Sequence, residues 1–142
     1  MGVTRAMVVC GFEGLDEISP EGKTHIWRLN EHSQLEYFTV EPADFGLSTH
    51  STIAVKSGIP SENATLLLKL LDGGLTDGDP ILDFVLLNAA ALLVCAEKAE
   101  NWKDGVRLAK ESILSGSARK ELDGFVKGST QVSKTVSIQR GQ

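Results

Sequence analysis

VTRAMVVCGFEGLDEIS, residues 3–19, is the stretch on which the fold turns. Its first half, Val3 to Cys10, is rich in β-branched residues and stops at Gly11. A short apolar run closed by glycine predicts a buried strand, of the parallel kind that carries helices on both faces. Its second half sets two carboxylates side by side, Asp16 and Glu17, in a loop that Gly11 and Gly14 allow to turn tightly. In open α/β sheets ligands sit beyond the carboxyl ends of parallel strands, so this loop is the first place to look for chemistry.

Working outward, Thr24–Leu29 and Leu35–Val40 alternate in polarity and predict two paired strands. In the first, His25, Trp27 and Leu29 share a face; in the second, Glu36, Phe38 and Val40 do. Residues 30–34 have the length of an open hairpin loop, and Pro42 ends the pairing because it has no N–H to give. Glu41 to Ile59 reads as an excursion with at most one helical turn. From Ser61 the pattern turns helical, with Leu66, Leu67, Leu70 and Leu71 forming a stripe that stops at Gly73-Gly74. Asp79-Pro80 is a cap and first-turn pair opening a helix to about Lys98, apolar nearly all round and expected to be deeply buried. Ala89, Ala90 and Ala91 on it would let another element approach closely. Asn101 caps a helix with Trp102, Val106, Ala109 and Ile113 on one side. Ser117 caps a last short helix carrying Leu122 and Phe125, which Gly128 closes.

One strand, one hairpin and four helices make an α/β inventory short of strands. A parallel neighbour needs a long crossover, and no second run like VTRAMVVC is present. Either the first strand pairs with the hairpin in a small mixed sheet, or its neighbours lie on sequence outside these residues; the second is the expectation. Residues 1–128 then form part of an α/β domain, and residues 129–142 a polar, mobile tail.

The chain has 142 residues, enough for one domain with a real core, and a net charge of −5. That charge, without any Lys/Arg cluster, argues against nucleic acid as a partner. The longest apolar stretch, Phe84 to Ala96, falls short of the roughly 20 residues that span a bilayer. Cys10 and Cys95 have no metal or redox spacing and suit small core residues in a reducing, cytoplasmic setting. Nothing at the start of these residues reads as a signal peptide, so the sequon at Asn63 is expected to be incidental.

Hard cations such as Mg²⁺ take one or two protein carboxylates and complete their shell with water and phosphate oxygens. Asp16 and Glu17 suit that role, although by spacing alone an Asp-Glu pair is ordinarily an exposed turn. Other candidates carry less. The acids of residues 72–79 miss the calcium-loop spacing and fit a helix stop followed by a helix start. His25, His32 and His50 have no ligand spacing, and His25 reads as a strand residue with a satisfied polar tip. No nucleophile elbow, phosphate loop or dinucleotide fingerprint occurs. Asn88, in the apolar helix, is expected to satisfy a buried backbone group.

Several of these stretches carry a resemblance. VTRAMVVCGFEGLDEIS closely resembles the strand and loop of the anthranilate phosphoribosyltransferase family, and so in turn do Glu41 to Leu47, Ser61 to Ala64, Val85 to Ala91, and Gly105 to Gly116. The likeness runs in order over about residues 1–127. It implies a mixed sheet flanked by helices, as in the nucleoside phosphorylases and their phosphoribosyltransferase relatives. It also implies transfer of phosphoribosyl from phosphoribosyl pyrophosphate to anthranilate, in tryptophan synthesis, with Mg²⁺ held at Asp16 and Glu17. It implies as well a small helical domain beside a larger α/β domain, in an enzyme of a kind that usually forms homodimers. The family's Gly-Thr-Gly-Gly-Asp loop, its Lys-His-Gly-Asn stretch and the basic residues of its anthranilate site do not occur in these 142 residues. Ser57-Gly58-Ile59-Pro60 stands where the family often has Gly-Gly-Asp-Pro. The resemblance therefore implies the C-terminal part of such an enzyme, without the helical domain, inactive alone and with no catalytic residue of its own. A pyrimidine nucleoside phosphorylase-like enzyme and a non-catalytic remnant that binds a partner through its strand edge are the alternatives.

Overall fold

The computed structural model describes residues 2–30 and 32–139, with side chains through residue 130. Strands β1 (Ala6–Gly11), β2 (Thr24–Leu29) and β3 (Leu35–Val40) are followed by two 3₁₀ turns, Pro42–Phe45 and Thr52–Val55. Helices α1 (Pro60–Leu71), α2 (Pro80–Cys95), α3 (Trp102–Leu114) and α4 (Ser117–Gln139) complete the chain. The α/β class holds, and both hairpin strands lie where their alternation places them.

The sheet corrects the expectation for the first strand. It is a meander in the order β1-β2-β3, antiparallel throughout, so β1 pairs with the hairpin. It starts at Ala6, three residues later than expected, and Val8 is 64% exposed. β-branched residues suit any pleated, half-buried surface and do not distinguish parallel from antiparallel pairing. The connection supplies the direction. Phe12 N–H donates to Lys23 O at 3.0 Å, which continues the ladder and turns the chain back on itself.

Helices cover one face of the sheet. Met7 and Val9 of β1, Ile26 of β2, and Phe38 and Val40 of β3 pack toward Leu87, Ala90 and Ala91 of α2. Trp102 of α3 closes this cluster, its ring centroid 5.1 Å from Phe45 and 6.4 Å from Phe38. Ile26 and Leu87 are fully buried, and each such side chain contributes about 1.5–3 kcal/mol of apolar burial. The opposite face of the sheet has no helix against it among the described residues. There Phe12 stacks on His25 at 4.1 Å, and Trp27 and Tyr37 extend the row. Phe12, Trp27 and Tyr37 are all exposed.

A second cluster, Leu70, Leu82, Leu86, Ala109 and Ile113, joins α1, α2 and α3. Asp79 caps α2 through Ile81 N–H at 2.9 Å, and Asn101 caps α3 through Asp104 N–H at 3.0 Å. The small residues of α2 do admit a neighbour. A Cβ built on Gly105 of α3 would stand 2.9 Å from Cα, Cβ and the carbonyl oxygen of Ala90.

Four further expectations change. The excursion holds two 3₁₀ turns, because Pro42 and the Ser51 hydroxyl each start one. Helix α2 ends at Cys95, and it is not buried all round: Val85 and Leu92 face outward, Leu92 with 73% of its surface exposed. Cys10 and Cys95 are free and only half-buried, Cys10 on the outer side of its strand. Helix α4 passes through Gly128 to Gln139, so residues 129–139 are helix where a tail was expected. A glycine inside a helix costs about 1 kcal/mol relative to alanine and does not forbid continuation. Residues 140–142 of that expected tail lie outside the described residues.

Candidate functional site

The loop from Gly11 to Gly22 leaves the end of β1 and returns into β2. Gly11 N–H donates to Leu15 O at 2.7 Å, and Gly14 N–H to Gly11 O at 2.9 Å. Gly14 has φ +91°, a region that side-chain-bearing residues avoid. The Glu13 carboxylate folds back over Gly11, where a Cβ would meet it at 2.8 Å, and accepts from the Ser19 hydroxyl at 2.5 Å. The same hydroxyl oxygen accepts from the N–H groups of Glu21 and Gly22, at 3.1 and 3.2 Å. Ser19 N–H donates in turn to Thr24 Oγ1 at 2.8 Å, and both residues are fully buried. The second half of the loop is thus a small polar knot tied around Ser19, whose N–H and hydroxyl are both bonded.

Three ties fasten that knot to the rest of the molecule. Asn88 of α2 accepts from Ile18 N–H at 2.9 Å, as its position in an apolar helix led us to expect. Glu21 accepts from both the N–H and the hydroxyl of Thr52, at 2.9 and 2.8 Å. Those two bonds, the backbone one first, hold the Glu21 carboxyl below the usual carboxylate range. His50 N–H donates to Pro20 O at 2.8 Å, while its ring Nε2 lies 2.7 Å from Oδ2 of Asp83, a carboxylate only 3% exposed.

Asp16 and Glu17 stand at the tip of this framework, both exposed. Among the described residues neither carboxylate accepts a hydrogen bond or joins an ion pair, so their oxygens are available. No three His, Cys, Asp or Glu side chains converge as a metal site among the described residues. Two free carboxylates without a third protein ligand match the donor set of Mg²⁺, which keeps positions for water and phosphate oxygens. They do not match a closed structural site. The histidines stand apart from the loop's tip: His25 Nδ1 lies 2.7 Å from the Tyr37 hydroxyl, and His50 pairs with Asp83. Among the described residues no helix is long and apolar enough to cross a membrane.

The glutamate–threonine and histidine–aspartate ties leave no signal in the sequence, because they join residues 31 and 33 positions apart. Only the mismatch between a buried carboxylate and its apolar helix, at Asp83, could have pointed to the second.

Residues 1–119 match the family described as glycosyl transferase family, a/b domain. The chain is 47% identical over 125 residues to an anthranilate phosphoribosyltransferase of Schizosaccharomyces pombe, covering 88% of this chain and 35% of the relative. Its structure superposes on anthranilate phosphoribosyltransferase from Saccharomyces cerevisiae in complex with PRPP and Mg, with a TM-score of 0.81 and 39% identity, over 88% of this chain and 35% of that one. The enzyme of the same name from Thermus thermophilus gives 0.75 and 34% identity, over 87% of this chain and 35% of that one. The chain therefore spans about a third of the length of these proteins.

Proposed function

This chain belongs to the glycosyl transferase family, through its a/b domain, and from that premise we propose that it is the C-terminal part of an anthranilate phosphoribosyltransferase carrying the magnesium end of the phosphoribosyl pyrophosphate site. The observation that carries the reading is the partner-free pair Asp16 and Glu17, held out by a loop whose other polar side chains, Glu13, Ser19 and Glu21, are engaged. In the proposed reaction the anthranilate nitrogen bonds to C1 of the ribose. The C1–O bond to pyrophosphate breaks with its electron pair, and the amine gives up a proton. A bound Mg²⁺ would neutralise charge on the departing pyrophosphate. The chain's own part is to present two carboxylates at a fixed place, so that cation and pyrophosphate are oriented before the bond breaks. Groups that hold anthranilate are proposed to lie on the part of the enzyme that this third does not cover. The cytoplasm is the proposed compartment, supported by the two free thiols. Homodimerisation is proposed for the complete enzyme.

The test joins this chain to the remainder of the S. pombe relative, in place of the matching third. With anthranilate, phosphoribosyl pyrophosphate and Mg²⁺, the chimera should consume anthranilate, read as loss of its fluorescence, while the chain alone should not. Asp16→Asn with Glu17→Gln should raise the Mg²⁺ needed for half-maximal rate and leave the KM for anthranilate unchanged. An active chimera whose double variant keeps the same Mg²⁺ dependence would return the pair to an ordinary turn.

A further inference from the structure

Asn88 does more than satisfy a buried backbone group, because the group it holds belongs to the peptide unit that begins at Glu17. Its Oδ1 accepts from Ile18 N–H at 2.9 Å, and its Nδ2 lies 3.5 Å from Ile18 O. The same Nδ2 donates to Phe84 O at 3.1 Å, the carbonyl one turn back in α2. The side-chain amide is therefore fixed by its own helix on one side and grips both polar groups of Ile18 on the other. Leu87 and Ala91, to the same side of α2, are buried in the core beneath the sheet, so the helix cannot swing Asn88 away without opening that core.

Geometry turns that grip into control of the acid pair. A peptide unit is planar, so fixing the N–H of Ile18 also fixes the place of the Glu17 Cα, the atom from which its side chain springs. Ile18, at 1% exposed, anchors the next residue by packing as well. On the other side the turn is closed by Gly11 N–H on Leu15 O, the residue before Asp16. Asp16 and Glu17 are thus the two residues left between a closed turn and a clamp, with their carboxylates free and their backbone held. An asparagine inside a helix carries a propensity cost of several tenths of a kcal/mol against leucine, and here it sits in a run of apolar residues. A leucine would serve packing alone; the amide serves the loop.

We infer that Asn88 is the positioning residue of the Asp16–Glu17 pair: it acts on the cation through the Glu17–Ile18 peptide, without touching the cation itself. This inference rests on the metal reading proposed above. Residues that orient a ligand from behind typically cost 10–100-fold in metal affinity when removed. An unclamped pair must be ordered at the moment of binding, and a clamped one is not.

The experiment uses the 142-residue chain, uniformly labelled with ¹⁵N, titrated with Mn²⁺ as the probe. The readout is paramagnetic broadening of the amides of residues 16–18, in the wild-type chain, in Asp16→Asn with Glu17→Gln, and in Asn88→Leu. Expected are broadening in the wild type, its loss in the double variant, and a midpoint shifted upward about tenfold in Asn88→Leu. Wild-type broadening that the double variant abolishes and Asn88→Leu leaves at the same midpoint overturns the positioning role alone. An asparagine that only supports the helix would give that result, with a lowered melting temperature. Wild-type amides unaffected by Mn²⁺, or equally affected in the double variant, overturn the metal reading itself and the inference with it. Should Asn88→Leu fail to fold, hydrogen exchange of the wild-type Ile18 amide decides: protection like that of the α2 amides supports the clamp, and exchange at the rate of the exposed Glu17 amide overturns it.

Discussion

Replacing Gly105 with alanine should force α3 away from α2, and the size of the effect follows from the contact geometry. The added Cβ would stand 2.9 Å from three atoms of Ala90, two of them main-chain. Ordinary carbon contacts lie near 3.5–4.0 Å, so the helices would have to separate by roughly half an ångström or more. No side-chain rotation relieves a clash with backbone. Overpacking of this kind costs about 1–3 kcal/mol, here in the upper half of that range. Alanine returns about 1 kcal/mol through its better helix propensity. The net loss is about 1–2 kcal/mol, which for a chain of this size lowers Tm by about 3–7 °C. Thermal unfolding followed by circular dichroism measures it. Gly124→Ala in α4 is the control, since nothing lies within 4 Å of its Cβ position and only the propensity gain applies. A Gly105→Ala chain as stable as the wild type, or more stable, would refute the close approach of α2 and α3.

The Glu21 carboxyl, lowered by its bonds to Thr52, stabilises the folded chain when ionised. A depressed folded-state pKa means that this stability is present above the ordinary carboxylate pKa and lost as pH falls through the folded value. The Tm gap between the wild type and Glu21→Gln should therefore be widest at neutral pH and close in acid; a gap independent of pH would contradict it. The exposed row on the outer sheet face, with the open edge of β1 beside Val8, should make the isolated chain self-associate or bind apolar dyes. Light scattering after size exclusion checks this: Val8→Lys should reduce association, and a clean monomer without dye binding in the wild type would count against it.

The local features were legible because local chemistry decides them. Alternation set Thr24–Leu29 and Leu35–Val40, and Asp79-Pro80 and Asn101 marked two helix starts. The partner of β1 was not legible, since pairing depends on a loop held by bonds such as Phe12 N–H to Lys23 O. The passage of α4 through Gly128 went unread for a different reason: a glycine is a weak stop when its φ stays helical. At the site, the residue types of Asp16 and Glu17 were readable and their supports were not. Asn88 announced a buried bond, yet its partner Ile18 is 70 residues away, and no spacing rule reaches that far.

The chain's two tryptophans divide between the two faces of the sheet. Trp27 looks outward beside His25, and Trp102 lies inward against Phe45. In optical terms the sheet is a partition between two emitters. A quencher dissolved in water meets the indole of Trp27 first, while that of Trp102 answers to the packing between α3 and the strands. Whatever comes to lie on the outer face would shield one emission and leave the other as an internal reference, with no label added.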